Sequence, residues 1–133
     1  MIRVDQMKAT SADSRHSIIV IEDEDVVLKT LVRLLSRTYD VQGASSLSEA
    51  EGLMRISTPS AVLCDLHLGD AGPEGIVESL NSLSMSQRTV FMSGGAFAAS
   101  DQYSFEHLPG PLLRKPFDPA ALRAILAQVI AQV

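Results

Sequence analysis

What most constrains the fold of this chain is the position of its polar clusters, each of which stands at the downstream end of a short apolar run. Glu22-Asp23-Glu24-Asp25 follows Ser17 to Ile21, Asp65 follows Ala61 to Cys64, and Lys115-Pro116 follows Leu112-Leu113-Arg114. If those runs are neighbouring parallel strands, their carboxyl ends share one edge, which is where open α/β sheets place their ligands. Three carboxylates and an ammonium then converge. Carboxylates held that close repel one another unless a cation or shared protons relieve them, and hard divalent cations take oxygen ligands. The pattern therefore points to a Mg2+ site with a lysine opposite it, an arrangement suited to phosphoryl chemistry on an aspartate.

The rest of the sequence supports that placement, because strand-like and helix-like segments alternate through short connections, as βα units building a parallel sheet do. Val27, Leu28, Leu31, Val32, Leu34 and Leu35 recur at helical spacing and predict a first helix from Glu24 to Thr38. A short strand over Tyr39 to Ala44 follows. Ser46 to Glu49 has capping-box form and opens a second helix, with Ala50, Leu53, Met54 and Ile56 as its buried face and Pro59 as its stop. Ser60 to Asp65 is a nearly continuous apolar run, the kind found where helices cover both faces of a sheet. Gly69, Gly72 and Pro73 shape a loop, and Ile76, Val77 and Leu80 give a third helix its stripe. Thr89 to Met92 reads as a fourth strand ending at Ser93-Gly94-Gly95, and a weakly periodic helix is expected over Ala96 to Phe105. Leu112 to Lys115 is the fifth strand. Asp118-Pro119 opens the last helix, with aspartate as N-cap and proline at the first helical position. Its buried face is Leu122, Ile125, Leu126, Val129 and Ile130.

Five strands and five helices are thus expected, in one domain over residues 17–133. Residues 1–16 mix charge, Ser, Thr and Met without period and read as a flexible leader. A chain of 133 residues with 46% hydrophobic content can bury roughly two-thirds of its unfolded surface without a metal or disulfide to staple it. Its single cysteine, Cys64, excludes an internal disulfide, suits a reducing compartment and reads as core packing. No apolar stretch approaches the ~18 residues of a membrane span, so a soluble, cytoplasmic protein without membrane insertion is expected. A net charge of −5 without a basic run argues against direct nucleic-acid binding, which needs clustered Lys or Arg.

Four segments, Ile-Glu-Asp-Glu at 21–24, Cys-Asp-Leu-His-Leu at 64–68, Phe-Met-Ser-Gly at 91–94 and Leu-Arg-Lys-Pro-Phe-Asp at 113–118, resemble the signatures of two-component response-regulator receiver domains, the CheY-like family. The resemblance covers about residues 17–131. It implies a doubly wound, flavodoxin-like parallel sheet of five strands in the order 2-1-3-4-5, with helices on both faces. It further implies that Glu22 and Asp23 are the acidic pair that binds Mg2+, that Asp65 is the phosphoacceptor, and that the His67 backbone carbonyl completes the metal shell. Ser93 matches the hydroxyl residue that hydrogen-bonds the phosphoryl group, and Lys115 the lysine that contacts it. The partner implied is a histidine kinase or a histidine phosphotransfer domain, and the chemistry is at most the chain's own phosphorylation and dephosphorylation. The receiver is either free-standing or cut from a larger hybrid histidine kinase; the Ser-Gly-Gly-Ala-Phe run at 93–97 and the closing helix that begins at Lys-Pro-Phe-Asp, 115–118, resemble receivers at the C-terminal end of such kinases, and a homodimer is compatible with either origin.

Two departures from the family pattern matter. Gly69 stands four residues after the acceptor, where many receivers have proline, and Leu112 stands three before the lysine, where an aromatic that changes rotamer is common. Two other functions share parts of the pattern. A receiver-like scaffold that is not phosphorylated usually loses a member of the constellation, and this chain keeps them all. A haloacid-dehalogenase-type phosphatase needs a second aspartate two residues after the nucleophile, where this chain has His67. Among the remaining polar residues, Glu24 and Asp25 read as a solvated helix start and His16 and His107 as surface residues, while Met54, Met85 and Met92 read as core filler.

Overall fold

The computed structural model describes residues 15–94 and 107–132. The leader up to residue 14, the helix expected over Ala96 to Phe105, and Gly95 lie outside the described residues. Within them the chain runs β1 (Ser17–Ile21), α1 (Asp25–Leu35), β2 (Asp40–Ala44), α2 (Leu47–Ile56), β3 (Ala61–Asp65), α3 (Pro73–Ser82), a 3-10 turn (Ser86–Arg88), β4 (Thr89–Ser93), β5 (Leu112–Arg114) and α4 (Pro119–Ala131). The strands form one sheet in the order β2-β1-β3-β4-β5, parallel throughout, as the alternation of apolar strands and amphipathic helices demands. No helix among the described residues is long and apolar enough to cross a membrane.

Side-chain alternation along the strands sorts the core into two layers. Ile19, Ile21, Val62, Cys64 and Phe91 join Ala50, Met54, Ile76 and Leu80 under α2 and α3. Ile18, Val20, Leu63, Val90, Met92 and Leu113 join Leu31, Leu35, Leu122, Leu126 and Val129 under α1 and α4. All five residues of β3 and of β4 are buried, whereas the edge strand β2 exposes three of its five. Each fully buried aliphatic side chain contributes roughly 1.5–3 kcal/mol. The central strands, with burial on both faces, therefore carry most of the cohesion and fix the strand ends that hold polar groups.

α1 stops at Leu35, three residues before the expected limit, because the N–H groups of Thr38 and Tyr39 both turn back to the Leu35 carbonyl, at 3.0 and 2.9 Å. The Arg15 guanidinium covers this end, donating to the carbonyls of Ser36, Thr38 and Tyr39, so Arg15 is tied to the domain although the sequence assigned it to the leader. A cation there also favours the negative end of the helix dipole. His16 joins it, its carbonyl accepting from the Asp40 N–H at 2.9 Å. At the start of α2, Ser46 Oγ accepts from the Glu49 N–H at 3.1 Å, as its capping-box form requires. Glu49 reaches back one residue further than expected, to the Ser45 N–H at 2.6 Å. Asp118 caps α4 through the Ala120 N–H at 3.1 Å, with Pro119 next in line.

One side-chain expectation is corrected. Ile56 is 84% exposed rather than part of the α2 core face. Two residues beyond Met54 is about 200° around the helix, which turns Ile56 to the side opposite Ala50 and Met54. The three methionines expected as filler are all in the core.

Two glycines with opposite surroundings test this packing. A methyl group on Gly110 would stand 2.0 Å from the Thr89 carbonyl oxygen, where the chain entering β5 crosses the start of β4. A methyl on Gly52, in α2, would meet nothing within 4 Å. Gly110→Ala should destabilise the domain by roughly 1–3 kcal/mol or more through overpacking against rigid backbone, and Gly52→Ala should stabilise it by about 1 kcal/mol through helix propensity. Urea denaturation of the two variants checks both signs, and a neutral Gly110→Ala would show that the β4–β5 crossing is looser than described.

Candidate functional site

The site is assembled by register. Ile21 pairs with Cys64, which sets Glu22 beside Asp65 one step beyond the end of β1. Ser93 pairs with Arg114, and the Lys115 N–H continues the ladder to the Ser93 carbonyl at 2.7 Å. The Lys115–Pro116 peptide that follows is cis. Four strand ends thereby bring Glu22, Asp65, Ser93 and Lys115 to one edge of the sheet, as the sequence pattern requires.

Glu22 is fully buried, an unusual position for a carboxylate unless it is paired. Its Oε1 accepts from Lys115 Nζ at 2.6 Å, and its Oε2 from the Glu24 N–H at 3.2 Å. Asp65 is nearly as deep. Its Oδ2 accepts from the same ammonium at 2.8 Å and its Oδ1 from the His67 N–H at 2.9 Å. Every oxygen of these two carboxylates therefore has a donor, and one lysine is shared between both. Burial pushes the Glu22 carboxyl above its ordinary pKa, and the Asp65 charge adds to that against the opposing pull of Lys115. Burial works against the Lys115 charge, yet the hydrogen bonds and negative charges of Asp65 and Glu22 outweigh it and raise its pKa.

Asp23 stands on the outer side of the pair, exposed. Glu22, Asp23 and Asp65 each offer a carboxylate oxygen, and these lie within 4.8 Å of one another. An all-oxygen, multiply anionic set of this kind fits a hard divalent cation such as Mg2+. Asp25, by contrast, pairs with Lys29 at 2.9 Å on the exposed first turn of α1, with both side chains more than two-thirds exposed. Such a pair contributes little. Glu24 gives the cluster only its backbone N–H.

Ser93 is buried, and its Oγ has no hydrogen-bond partner among the described residues. A hydroxyl left so costs about 1–3 kcal/mol, which a native structure tolerates where a ligand later satisfies it. His67 and His107 are exposed residues. Cys64, fully buried beside Asp65, has its thiol pKa pushed well up, first by burial and then by the charges of Asp65 and Glu22, and so lacks the thiolate that redox chemistry needs.

Two features escaped the sequence reading. Asp70, in the loop leaving β3, accepts from the backbone N–H groups of Leu47 and Ser48 at the start of α2, at 3.2 and 3.3 Å. Nothing local in sequence signals a helix cap supplied from more than twenty residues away. An apolar groove lined by Val26, Val27, Thr30, Leu31, Pro116 and Phe117 also opens beside Lys115. Val26, 76% exposed, is the one member whose type announces it, as an apolar residue on the solvent side of α1.

No family model matches the sequence, and no curated protein matches it significantly. Solved structures do. A response-regulator receiver domain protein from Clostridium thermocellum superposes with a TM-score of 0.76 at 20% identity, covering 88% of this chain and 95% of that one. A CheY-like receiver domain from Methylobacillus flagellatus gives 0.72 at 25% identity, over 86% and 98%. The receiver domain of the hybrid histidine kinase CckA gives 0.67 at 21%, over 86% and 98%. The fold is that of receiver domains.

The shared ammonium predicts a pH-dependent stability. Lys115→Met leaves Glu22 buried without its counter-charge and beside a second carboxylate, at a cost of roughly 3 kcal/mol near pH 7.5. A carboxyl whose folded pKa lies above its unfolded value binds protons preferentially in the fold, so stability recovers as pH falls towards the unfolded carboxyl value. The variant's deficit relative to wild type should shrink between pH 7.5 and pH 5. Urea titrations giving the same deficit at both pH values would show that lost packing, not the uncompensated charge, is responsible.

Proposed function

We propose that this chain is a phosphoaccepting receiver domain, taking a phosphoryl group from a phosphohistidine onto Asp65. The observation that carries the reading is the shared contact of Lys115 with Asp65 and Glu22, flanked by Asp23, at the carboxyl edge of a receiver-type sheet. A carboxylate alone repels a phosphoryl donor, and a positioned ammonium offsets part of that repulsion. Mg2+, held by Glu22, Asp23, Asp65 and the His67 backbone carbonyl, would supply the rest of the positive charge.

In the transfer, an Asp65 carboxylate oxygen forms a bond to phosphorus as the P–N bond to the donor imidazole breaks. The imidazole nitrogen keeps that electron pair, and the product is an aspartyl phosphate. Lys115, already bonded to Asp65 Oδ2, neutralises charge on the phosphoryl oxygens without having to travel. Ser93, whose hydroxyl has no partner among the described residues, donates to a phosphoryl oxygen once the group arrives. Little covalent machinery is needed, since phosphoryl transfer is mainly positioning and electrostatics. A donor histidine carried on a protein, either a histidine kinase or a phosphotransfer domain, must seat on the rim of the site, and the apolar groove beside Lys115 gives such a partner a surface. A cytoplasmic setting suits this chemistry, whether the domain stands alone or belongs to a hybrid histidine kinase.

Incubation with a small phosphodonor should modify the wild type at Asp65, and Asp65→Asn should remain unmodified by mass spectrometry. Label on the Asn variant at wild-type level would sink the assignment. Asp23→Ala should weaken Mg2+ binding at least tenfold, whereas Asp25→Ala, which removes only the exposed pair with Lys29, should leave it nearly unchanged. Equal losses from the two, read by titration calorimetry, would mean that Asp23 acts only as a surface charge.

The same site supports a signalling role. Drawing Ser93 towards the phosphoryl group would shift the end of β4, a local electrostatic event of the kind that biases a two-state element. Leu112 packs against the core layer that contains Phe91 and presents no ring to move into space that Ser93 leaves. The sequence offers Phe97 and Tyr103 as substitutes, and both lie outside the described residues. Beryllofluoride should therefore produce large amide shifts over residues 69–75 and 93–95 and small ones over 112–115 and α4. Equally large shifts in the second set would show that Leu112 transmits as an aromatic does.

A further inference from the structure

The loop between β3 and α3 leaves the sheet directly after Asp65 and runs against Asp23. Its inner end is fixed on the acceptor itself, through the His67 N–H to Asp65 Oδ1, and by burial of Leu66 and Leu68. Leu68 and Ala71 then bridge each other, N–H to carbonyl in both directions at 3.0 and 3.3 Å, closing a tight turn whose tip is Gly69-Asp70. Gly69 lies against Asp23, and a methyl placed on it would sit 3.6 Å from Asp23 Oδ2. Having no side chain, Gly69 cannot anchor the tip. Asp70 can. Its two carboxylate oxygens take the first two N–H groups of α2, while Ser46 takes the third. The segment leading into α2 is fixed in turn to the acidic pair, through the Glu22 N–H to the Ala44 carbonyl at 3.0 Å.

These bonds make a closed circuit: Glu22 to Ala44, along the chain to the start of α2, across to Asp70, and through Gly69 and His67 back to Asp65. We propose that Asp70 is a positioning residue, which holds the turn against the acidic pair by clamping it to the N-terminus of α2 and so sets the metal affinity of a site it does not touch. The inference rests on the phosphoacceptor reading for its Mg2+ site. A carboxylate suits the task because helix N-termini favour negative charge and present unsatisfied N–H groups. Outer groups that orient metal ligands typically change affinity by 10–100-fold when removed.

The test compares three variants of the whole chain by Mg2+ titration, followed by amide chemical shifts, with melting temperature measured alongside. Asp70→Ala should weaken Mg2+ about tenfold. Ser46→Ala removes a cap from the same helix without touching the loop, and should lower the melting temperature while leaving Mg2+ affinity at the wild-type value. Asp70→Asn keeps one acceptor oxygen for one of the two helix N–H groups but loses the charge and the second acceptor, and should retain an affinity between those of wild type and Asp70→Ala. If Asp70→Asn falls as far as Asp70→Ala, the effect is one of net charge and the positioning role is overturned. If Ser46→Ala weakens Mg2+ as much as Asp70→Ala, the effect belongs to helix stability and the role is again overturned. Wild type that binds Mg2+ with an affinity Asp70→Ala leaves unchanged overturns this inference alone, whereas wild type that binds none overturns the phosphoacceptor reading together with it.

Discussion

The Lys115 ammonium, shared between the fully buried Glu22 and the nearly buried Asp65, is the interaction on which the site depends. Two carboxylates at that depth repel one another, and burial together with the Asp65 charge raises the Glu22 pKa. A single cation hydrogen-bonded to both at 2.6 and 2.8 Å offsets part of that repulsion. It also consumes one oxygen from each, leaving the other oxygens to the Glu24 and His67 N–H groups. Nothing in the pair is unsatisfied, yet the cluster with Asp23 still carries more negative than positive charge. That excess is what a divalent cation would relieve.

Such a pair can be held only by a rigid support, and the sheet supplies it. β3 and β4 are buried from end to end, so Asp65 and Ser93 are the points where a core strand first meets polar surroundings. The parallel arrangement aligns those points along one edge, and Glu22 and Lys115, each one residue beyond the end of β1 and of β5, flank them. Rigidity has a cost at Ser93, whose hydroxyl is carried into the interior without a partner among the described residues. The same edge is soft where function needs approach. Asp23 is exposed, and the groove between α1 and the segment 116–117 is apolar and open.

Much of this was legible because the governing patterns are local. Alternation of apolar runs with helical stripes gave the strand order its class, the Asp118-Pro119 start of α4 was read correctly, and the positions of Glu22, Asp65, Ser93 and Lys115 at strand ends followed from where apolar runs stop. The misreadings have local causes too. α1 ends early where the Thr38 and Tyr39 N–H groups both turn back to the Leu35 carbonyl, and Arg15 covers the carbonyls just beyond that end. Ile56 looked like core because it is apolar and near the end of a stripe, but its angle around α2 faces solvent. The Glu49 cap slipped by one residue, a difference in loop geometry that side-chain types do not encode.

The sequence by itself determined that glutamate, aspartate, serine and lysine stand where apolar runs stop, and the resemblance to receiver domains implied the strand order that brings those points to one edge. Only the tertiary structure decided how they meet. One lysine bonds two carboxylates, Glu22 lies deeper than Asp23 although the two are adjacent, and Asp70 reaches across to a helix that begins 23 positions earlier. The reason is physical. Periodicity fixes which face of an element is apolar, and that survives in a single sequence. Hydrogen bonds between side chains distant in sequence depend on strand register, loop closure and depth, which are set jointly by the whole fold.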